Sequence, residues 1–248
     1  MKKIAVATAK GGVGKTTTAV NLGAGLALEG KKVLLVDCDP QGNAVNGHFN
    51  VDSENTLAEF ITDYNQECII EVRPNLDVIA SGQDRLYKAQ KNIELSKAMS
   101  FKDDIKFIEG FGYDYIFFDF SPTVTYINEI VLTYCNYILI PVNPSFDALK
   151  GAEKYLQLSK DMSKSSGKIN LFGFLVNMFD HTVISRDIEE MIREDWKGLV
   201  FDTRIRKNVA IPESRATHQT IFEYDPGYKT HGAQDFKSLV QEVLSNER

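Results

Sequence analysis

The chain has 248 residues, of which 43% are hydrophobic and 25% charged, with a formal net charge of -6; these are the proportions of an ordinary globular domain, and any nucleic-acid contact must come from a local basic patch because the overall field repels phosphate. No apolar run approaches the roughly 18 residues that cross a bilayer, and MKKIAVATAKGG turns glycine-rich too soon for a signal-peptide core, so a cytoplasmic protein, mature from Met1, is expected. Cys38, Cys68 and Cys135 are scattered and odd in number, with no CxxC pair, which argues against a disulfide framework and against a zinc or iron–sulfur site.

In chain order, KIAVATA (3–9) is the first expected strand, an apolar run of the kind buried on both faces of a parallel sheet. It leads into KGGVGKTT and a helical stretch over 16–29 that stops at Gly30. Strand, glycine loop and helix form the context of a phosphate loop. Gly11, Gly12 and Gly14 let backbone N–H groups turn onto phosphate oxygens, and the helix N-terminus adds its positive dipole end. The expected phosphate-binding residues thus run from Gly11 through Val13 to Thr17, with Lys15 set to neutralise phosphate and the Thr16 hydroxyl to ligate Mg2+. The general pattern GxxxxGK[ST] asks for glycine at position 9, where this chain has Ala9. Lys10 is then a second lysine with no evident partner.

KVLLVD (32–37) is the next expected strand, and it carries Asp37 and, past Cys38, Asp39 to the sheet end where a doubly wound fold places its ligand. Alternation points both carboxylates toward one site, with a turn or helix cap left open as the other reading of Asp37. Further strands are expected at NLDVIAS (75–81), YDYIFFDF (113–120), NYILIPV (136–142) and NLFGFLVN (170–177). Helical stretches are expected over 83–99 and over 147–162, where Leu149, Ala152, Leu156 and Leu158 mark an apolar face; 163–168 reads as a loop. The alternation implies one α/β domain: a doubly wound, mostly parallel twisted sheet flanked by helices, with right-handed crossovers. Asp119 ends one strand and Asn177 another, the latter with an amide that both donates and accepts or simply turns the chain.

KGGVGKTT with its leading lysine resembles the deviant Walker A motif of the ParA and MinD superfamily of ATPases. VLLVDCDPQGNA (33–44) is similar to the switch I segment of ParA-type partition ATPases. YDYIFFDFSP (113–122) resembles their Walker B strand and switch II, RIRKNVAIPESRATHQTIFEYDP (204–226) the matching ParA segment, and GAQDFKSLVQEVL (232–244) their closing helix. The resemblance implies a P-loop NTPase fold with ATP and Mg2+ as cofactors. It also implies that Lys10 reaches across a two-fold interface to the partner's ATP in an ATP-dependent homodimer. One lysine from each subunit spreads charge that two ammoniums from one loop would concentrate. By the same resemblance Asp39 orients the attacking water and supports the Mg2+ shell with help from Asp37. Asp119 holds Mg2+ through water, and Asn177 and Asn208 lie by the adenine. Two departures stand out: DFSP at 119–122, where relatives read DCPP or DTPP, puts Phe120 and Ser121 before the retained Pro122, and Arg206 replaces the proline of IPRN.

Relatives differ in the surface that the dimer binds. The last helix has an apolar stripe of Phe236, Leu239, Val240, Val243 and Leu244, but Asp235, Gln241, Glu242 and Glu247 make its other side unfit for anionic lipid. Core packing is expected there, and no membrane partner. For DNA the candidates are Arg186, Arg193, Lys197, Arg204, Arg206, Lys207 and Arg215. Between 181 and 231 eight basic residues face nine acidic ones, so only spatial segregation makes a patch. The resemblance, not the charge, implies non-specific double-stranded DNA and a ParB-like centromere-binding adaptor, hence nucleoid association and a plasmid or chromosomal cargo. A chain that starts at its first strand is expected to lack an operator-reading N-terminal domain. A positioner of protein cargo, a MinD-like membrane ATPase and a non-cycling nucleotide-dependent scaffold are the other readings. Electron transfer would need cysteines in a context that Cys68 and Cys135 lack.

Overall fold

The computed structural model describes residues 1–63, 65–92, 106–123, 125–145 and 169–245, with a few positions between 153 and 160. Most of the helix expected over 147–162, including Leu149, Ala152 and Leu158, lies outside the described residues, as do the loop over 163–168 and the 93–99 end of the helix expected over 83–99.

All six expected strands form: β1 (Lys2–Val6), β2 (Val33–Asp37), β4 (Leu76–Ile79), β5 (Tyr115–Asp119), β6 (Tyr137–Val142) and β7 (Asn170–Val176). A seventh strand, β3 (Ile70–Arg73), was not expected. The sheet order is β3-β4-β2-β5-β1-β6-β7, parallel at every neighbour except β3 with β4. β3 is short and only half-buried, so it carries no continuous apolar run. Its sequence cue is local: Ile70 and Val72 alternate with Glu71 and Arg73 ahead of a Pro74-Asn75 turn, in which Asn75 takes a left-handed φ of 64° that asparagine tolerates.

Helices α1 (Lys15–Leu28), α2 (Val45–Phe49), α3 (Leu57–Asp63), α4 (Asp84–Asn92), α5 (Tyr126–Tyr134), α6 (Val183–Asp195), α7 (Ala210–Ala216), α8 (Ile221–Tyr224) and α9 (His231–Ser245) follow. Strand alternation sends Val6, Leu35, Phe117 and Leu139 to one face, where they pack with residues of α1, α8 and α9. Ala5, Val36, Phe118 and Ile140 face the other way, toward α3, α5 and α6. Phe236, Leu239, Val240 and Val243 are buried, with Leu244 packed at the margin, so the stripe on α9 is core, as expected. Gly25 makes that packing possible. A Cβ there would lie 2.4 Å from Val240 and 2.8 Å from Phe222, so no larger residue lets α8 and α9 close on α1. The strand order brings the carboxyl ends of β1, β5 and β2 side by side, with Asp37 in register with Asp119 and Val6 in register with the same residue. That is where a doubly wound sheet holds its ligand.

Candidate nucleotide site

The loop between β1 and α1 wraps the helix N-terminus. Gly14 precedes α1 with φ 86°, a left-handed conformation natural to glycine, and its carbonyl accepts from the Thr18 amide and hydroxyl at 2.9 and 2.8 Å. Gly11, Gly12, Gly14, Lys15, Thr16 and Thr17 line a cleft of about 640 Å³ together with Asp39, Ser121, Met178 and Arg215. An adjoining, more apolar cleft of about 680 Å³ is lined by Asn177, Arg206, Lys207, Asn208, Ile211 and Pro212. Thr17, Met178 and Arg215 line both. The arrangement suits a ligand with a charged and an apolar half.

Lys15 and Lys10 do different things. Lys15 is 6% exposed and donates to the Lys10 carbonyl at 3.2 Å. Burial pulls its pKa below the ordinary lysine value, and the charges of Asp119 and Asp39 oppose that shift. The Lys10 ammonium instead donates to Ser145 Oγ at 2.8 Å, beyond the end of β6, and Lys10 does not line its own cleft.

Thr16 Oγ1 donates to Asp119 Oδ2 at 2.7 Å. The second oxygen, Oδ1, is buried with no hydrogen-bond partner among the described residues. Burial first and the charge of Asp37 second push Asp119 well above the usual carboxylate range, while the Thr16 bond and Lys15 oppose them. A buried carboxylate oxygen without a donor, beside a hydroxyl, is a donor set that fits Mg2+. Among the described residues no group of three or more His, Cys, Asp or Glu side chains is placed to hold a metal. Thr16 and Asp119 together would leave most of such a cation's shell to water and ligand.

Asp37 and Asp39 part company. Asp39 lines the cleft, and its Oδ1 accepts from the Gln41 amide at 2.9 Å. Asp37 is fully buried and turned onto the backbone: Oδ1 accepts from the Asp39 amide at 3.1 Å, and Oδ2 from Ala44 and Val45 at 3.0 and 3.3 Å. Burial lifts its pKa to about 7 even against those three bonds. Its place is that of a turn cap, which shapes the segment carrying Asp39. In the DFSP turn, Phe120 is buried in the core. Ser121 Oγ donates to the Thr123 carbonyl at 2.7 Å and accepts from Asn128 at 3.2 Å, so a short hydroxyl bridge shapes this turn.

Asn177 and Asn208 border the apolar cleft, and both amides also serve the chain itself. Asn177 Nδ2 donates to the Val13 carbonyl at 2.9 Å, and its Oδ1 accepts from Met178 at 2.9 Å. Asn208 Nδ2 donates to the Arg206 carbonyl at 2.8 Å, and its Oδ1 accepts from Ile211 at 3.2 Å in the first turn of α7.

The basic residues do not form one group. Arg215 donates to Asn43 Oδ1 at 2.6 Å at the seam of the two clefts. Arg206 is tied to Asp235 of α9 through its backbone amide at 2.8 Å and its guanidinium Nε at 3.0 and 3.1 Å. Arg193 and Arg204 both pair with Glu189, and the guanidinium of Arg204 lies over the Phe179 ring. Arg186, Lys197 and Lys207 form no ion pair among the described residues; Arg186 and Lys197 share a shallow depression with Glu190 and Glu194. Arg206, Lys207 and Arg215, read from the sequence as DNA candidates, thus line the clefts, and Arg206 and Arg215 are also tied to other side chains there. No cue within a few residues reveals this, because their partners are 29 and 172 positions away.

A family model described as an AAA domain matches residues 1–171. The sporulation initiation inhibitor protein Soj of Bacillus subtilis is 34% identical over 257 residues, covering 99% of each chain. Among solved structures, the ATP complex of a McdA variant from Cyanothece superposes with a TM-score of 0.85 at 23% identity, covering 100% of this chain and 98% of that one. Cobyrinic acid a,c-diamide synthase from Mycobacterium smegmatis, with a bound ATP analog and magnesium, superposes with a TM-score of 0.80 at 22% identity over 98% of this chain and 94% of that one. At these identities the likeness shows the fold alone, and fold alone does not assign function. With two thirds of the chain under the family model and a full-length relative above 30% identity, the chain belongs to the ParA and MinD superfamily of P-loop ATPases, in its Soj and ParA group.

Proposed function

We propose that this chain is a partition ATPase. ATP and Mg2+ close a sandwich homodimer that binds double-stranded DNA without sequence preference in the cytoplasm, over the nucleoid. A ParB-like adaptor then stimulates hydrolysis and release, and the cargo is a plasmid or a chromosome segment. The observation that carries the reading is the separation of the two lysines: Lys15 is buried in its own cleft, while Lys10 is held outside it on Ser145. A cation held by a neutral hydroxyl outside its own cleft has little to give up in turning to a second subunit's nucleotide.

Thr16 and Asp119 would hold Mg2+, which neutralises developing phosphate charge when bound. Lys15 contributes a buried positive charge toward the same phosphates, and the loop amides from Gly11 to Thr17 donate to their oxygens. Asp39 has one oxygen tied to Gln41 and the other available to orient a water molecule. Asp37 holds the turn that positions Asp39 and does not enter the cleft. The apolar cleft receives the base, with Asn177 and Asn208 at its edge and Arg215 at the seam. For DNA, Arg186 and Lys197 are the favoured contacts, because they lie away from both clefts and form no ion pair among the described residues.

A gel shift on random-sequence duplex, with ATP or ADP across a salt series, tests the reading. Binding that requires ATP and weakens steeply with salt is expected, because phosphate contacts release counterions. Identical behaviour with the two nucleotides would sink it.

A further inference from the structure

A loop that aims its amides at a ligand must find partners for its carbonyls on the other side. Here the Lys10 carbonyl takes the Lys15 ammonium and the Gly14 carbonyl takes Thr18. The Val13 carbonyl takes Asn177 Nδ2, from a residue 164 positions away at the end of β7. We propose that Asn177 is a positioning residue of the phosphate loop: the amide that borders the base cleft also sets the loop's shape. The inference rests on the nucleotide reading of the two clefts.

Three features make this contact more than an incidental bond. Asn177 is 2% exposed, and its backbone amide is anchored on the Val142 carbonyl at 2.9 Å. Met178 adopts a left-handed φ of 57°, a costly conformation for methionine, and its amide fixes Oδ1 at 2.9 Å. The amide also fills the space beside Gly14: a Cβ on that glycine would lie 2.2 Å from Asn177 Nδ2. Gly14 therefore meets two needs, a left-handed turn and room for this side chain. A carboxamide has two N–H groups and two lone pairs. The loop and Met178 use one of each, which leaves one donor and one acceptor for a base edge. Base and phosphate binding are thereby linked through one side chain.

The test compares wild type with Asn177→Ala and Asn177→Asp. The aspartate keeps the acceptor for Met178 but sets a second acceptor against the Val13 carbonyl. Amide hydrogen exchange is followed in nucleotide-free protein, and ATP and inorganic tripolyphosphate are titrated calorimetrically into wild type and Asn177→Ala. In both variants exchange across residues 11–17 is expected to quicken roughly fivefold or more, the equivalent of one lost hydrogen bond, while β1 and β5 keep their rates. The affinity of Asn177→Ala for tripolyphosphate is expected to fall by roughly fivefold to tenfold, and its affinity for ATP by at least as much. Unchanged loop exchange, or a loss confined to ATP with tripolyphosphate affinity intact, overturns the proposal and leaves Asn177 as a reader of the base alone. Wild type that binds neither ligand refutes the nucleotide reading instead, and the exchange rates still decide the loop contact.

Discussion

Replacing Arg206 by proline, the residue that the expected IPRN pattern would place there, is expected to destabilise the protein. The guanidinium and the backbone amide of Arg206 both donate to Asp235 on α9, whose side chain is only 9% exposed, against 26% for the arginine. Arg206→Ala removes the charge-assisted pair and leaves a nearly buried carboxylate with one donor. Hydrogen bonds to charged groups contribute about 1.5–3 kcal/mol, and discounting for the exposed arginine gives about 2 kcal/mol. Arg206→Pro removes the backbone donor as well, since proline has no N–H, which brings the cost to about 3 kcal/mol. In a chain of this size that lowers Tm by roughly 6–12 °C. Urea and thermal unfolding of both variants are the assay, with the expected order wild type, then alanine, then proline. A proline variant as stable as the alanine variant would refute the role of the backbone donor. An Arg206→Ala protein whose DNA binding shows a shallower salt dependence would show that the guanidinium leaves Asp235 for phosphate.

The two lysines of the loop are expected to separate by assay: Lys15→Ala abolishes ATP binding in calorimetry, whereas Lys10→Ala binds ATP and fails to dimerise on it in sedimentation. A Lys10→Ala protein that dimerised normally would end the trans role. Gly25→Ala gains up to about 1 kcal/mol of helix propensity but forces Val240 and Phe222 apart, at about 1–3 kcal/mol; a net loss of stability in urea is expected, and a gain would contradict the packing. His48 is almost fully buried, and burial, with the charge of Arg215 adding to it, lowers its pKa to about 4 from 6.5. The unfolded chain therefore takes up a proton that the fold refuses as pH drops through 6.5 toward 4. Stability relative to a His48→Gln protein is expected to be fully present above pH 6.5 and to fall by about 2 kcal/mol between pH 7 and pH 4.5. A pH-independent difference would refute the assignment.

Much of the site was legible because its parts are local. Lys10 to Thr17 form one loop, and Asp119 ends a run of apolar residues that only a buried strand explains. What was not legible depends on contacts made by the folded chain. Asp37 and Asp39 look equivalent in sequence, and only the return of the chain at Ala44 and Val45 shows that one caps a turn while the other faces the cleft. Arg206 and Arg215 read as surface cations because Asp235 and Asn43 lie far from them in sequence. β3 escaped because its alternation runs over only four residues, half-exposed, with no continuous apolar run to mark a buried strand.

The seam at Thr17, Met178 and Arg215 makes the two clefts behave as linked subsites. A molecule that reaches across it meets the second cleft at the effective concentration set by its own covalent link, in the millimolar range or higher for a short connection. Neither half of such a molecule, offered alone, collects that advantage, and the two halves offered together as separate compounds do not recover it. If the two clefts take the phosphates and the base as proposed, selectivity for an intact nucleotide over free phosphate and nucleoside would follow from their adjacency, without exceptional affinity in either.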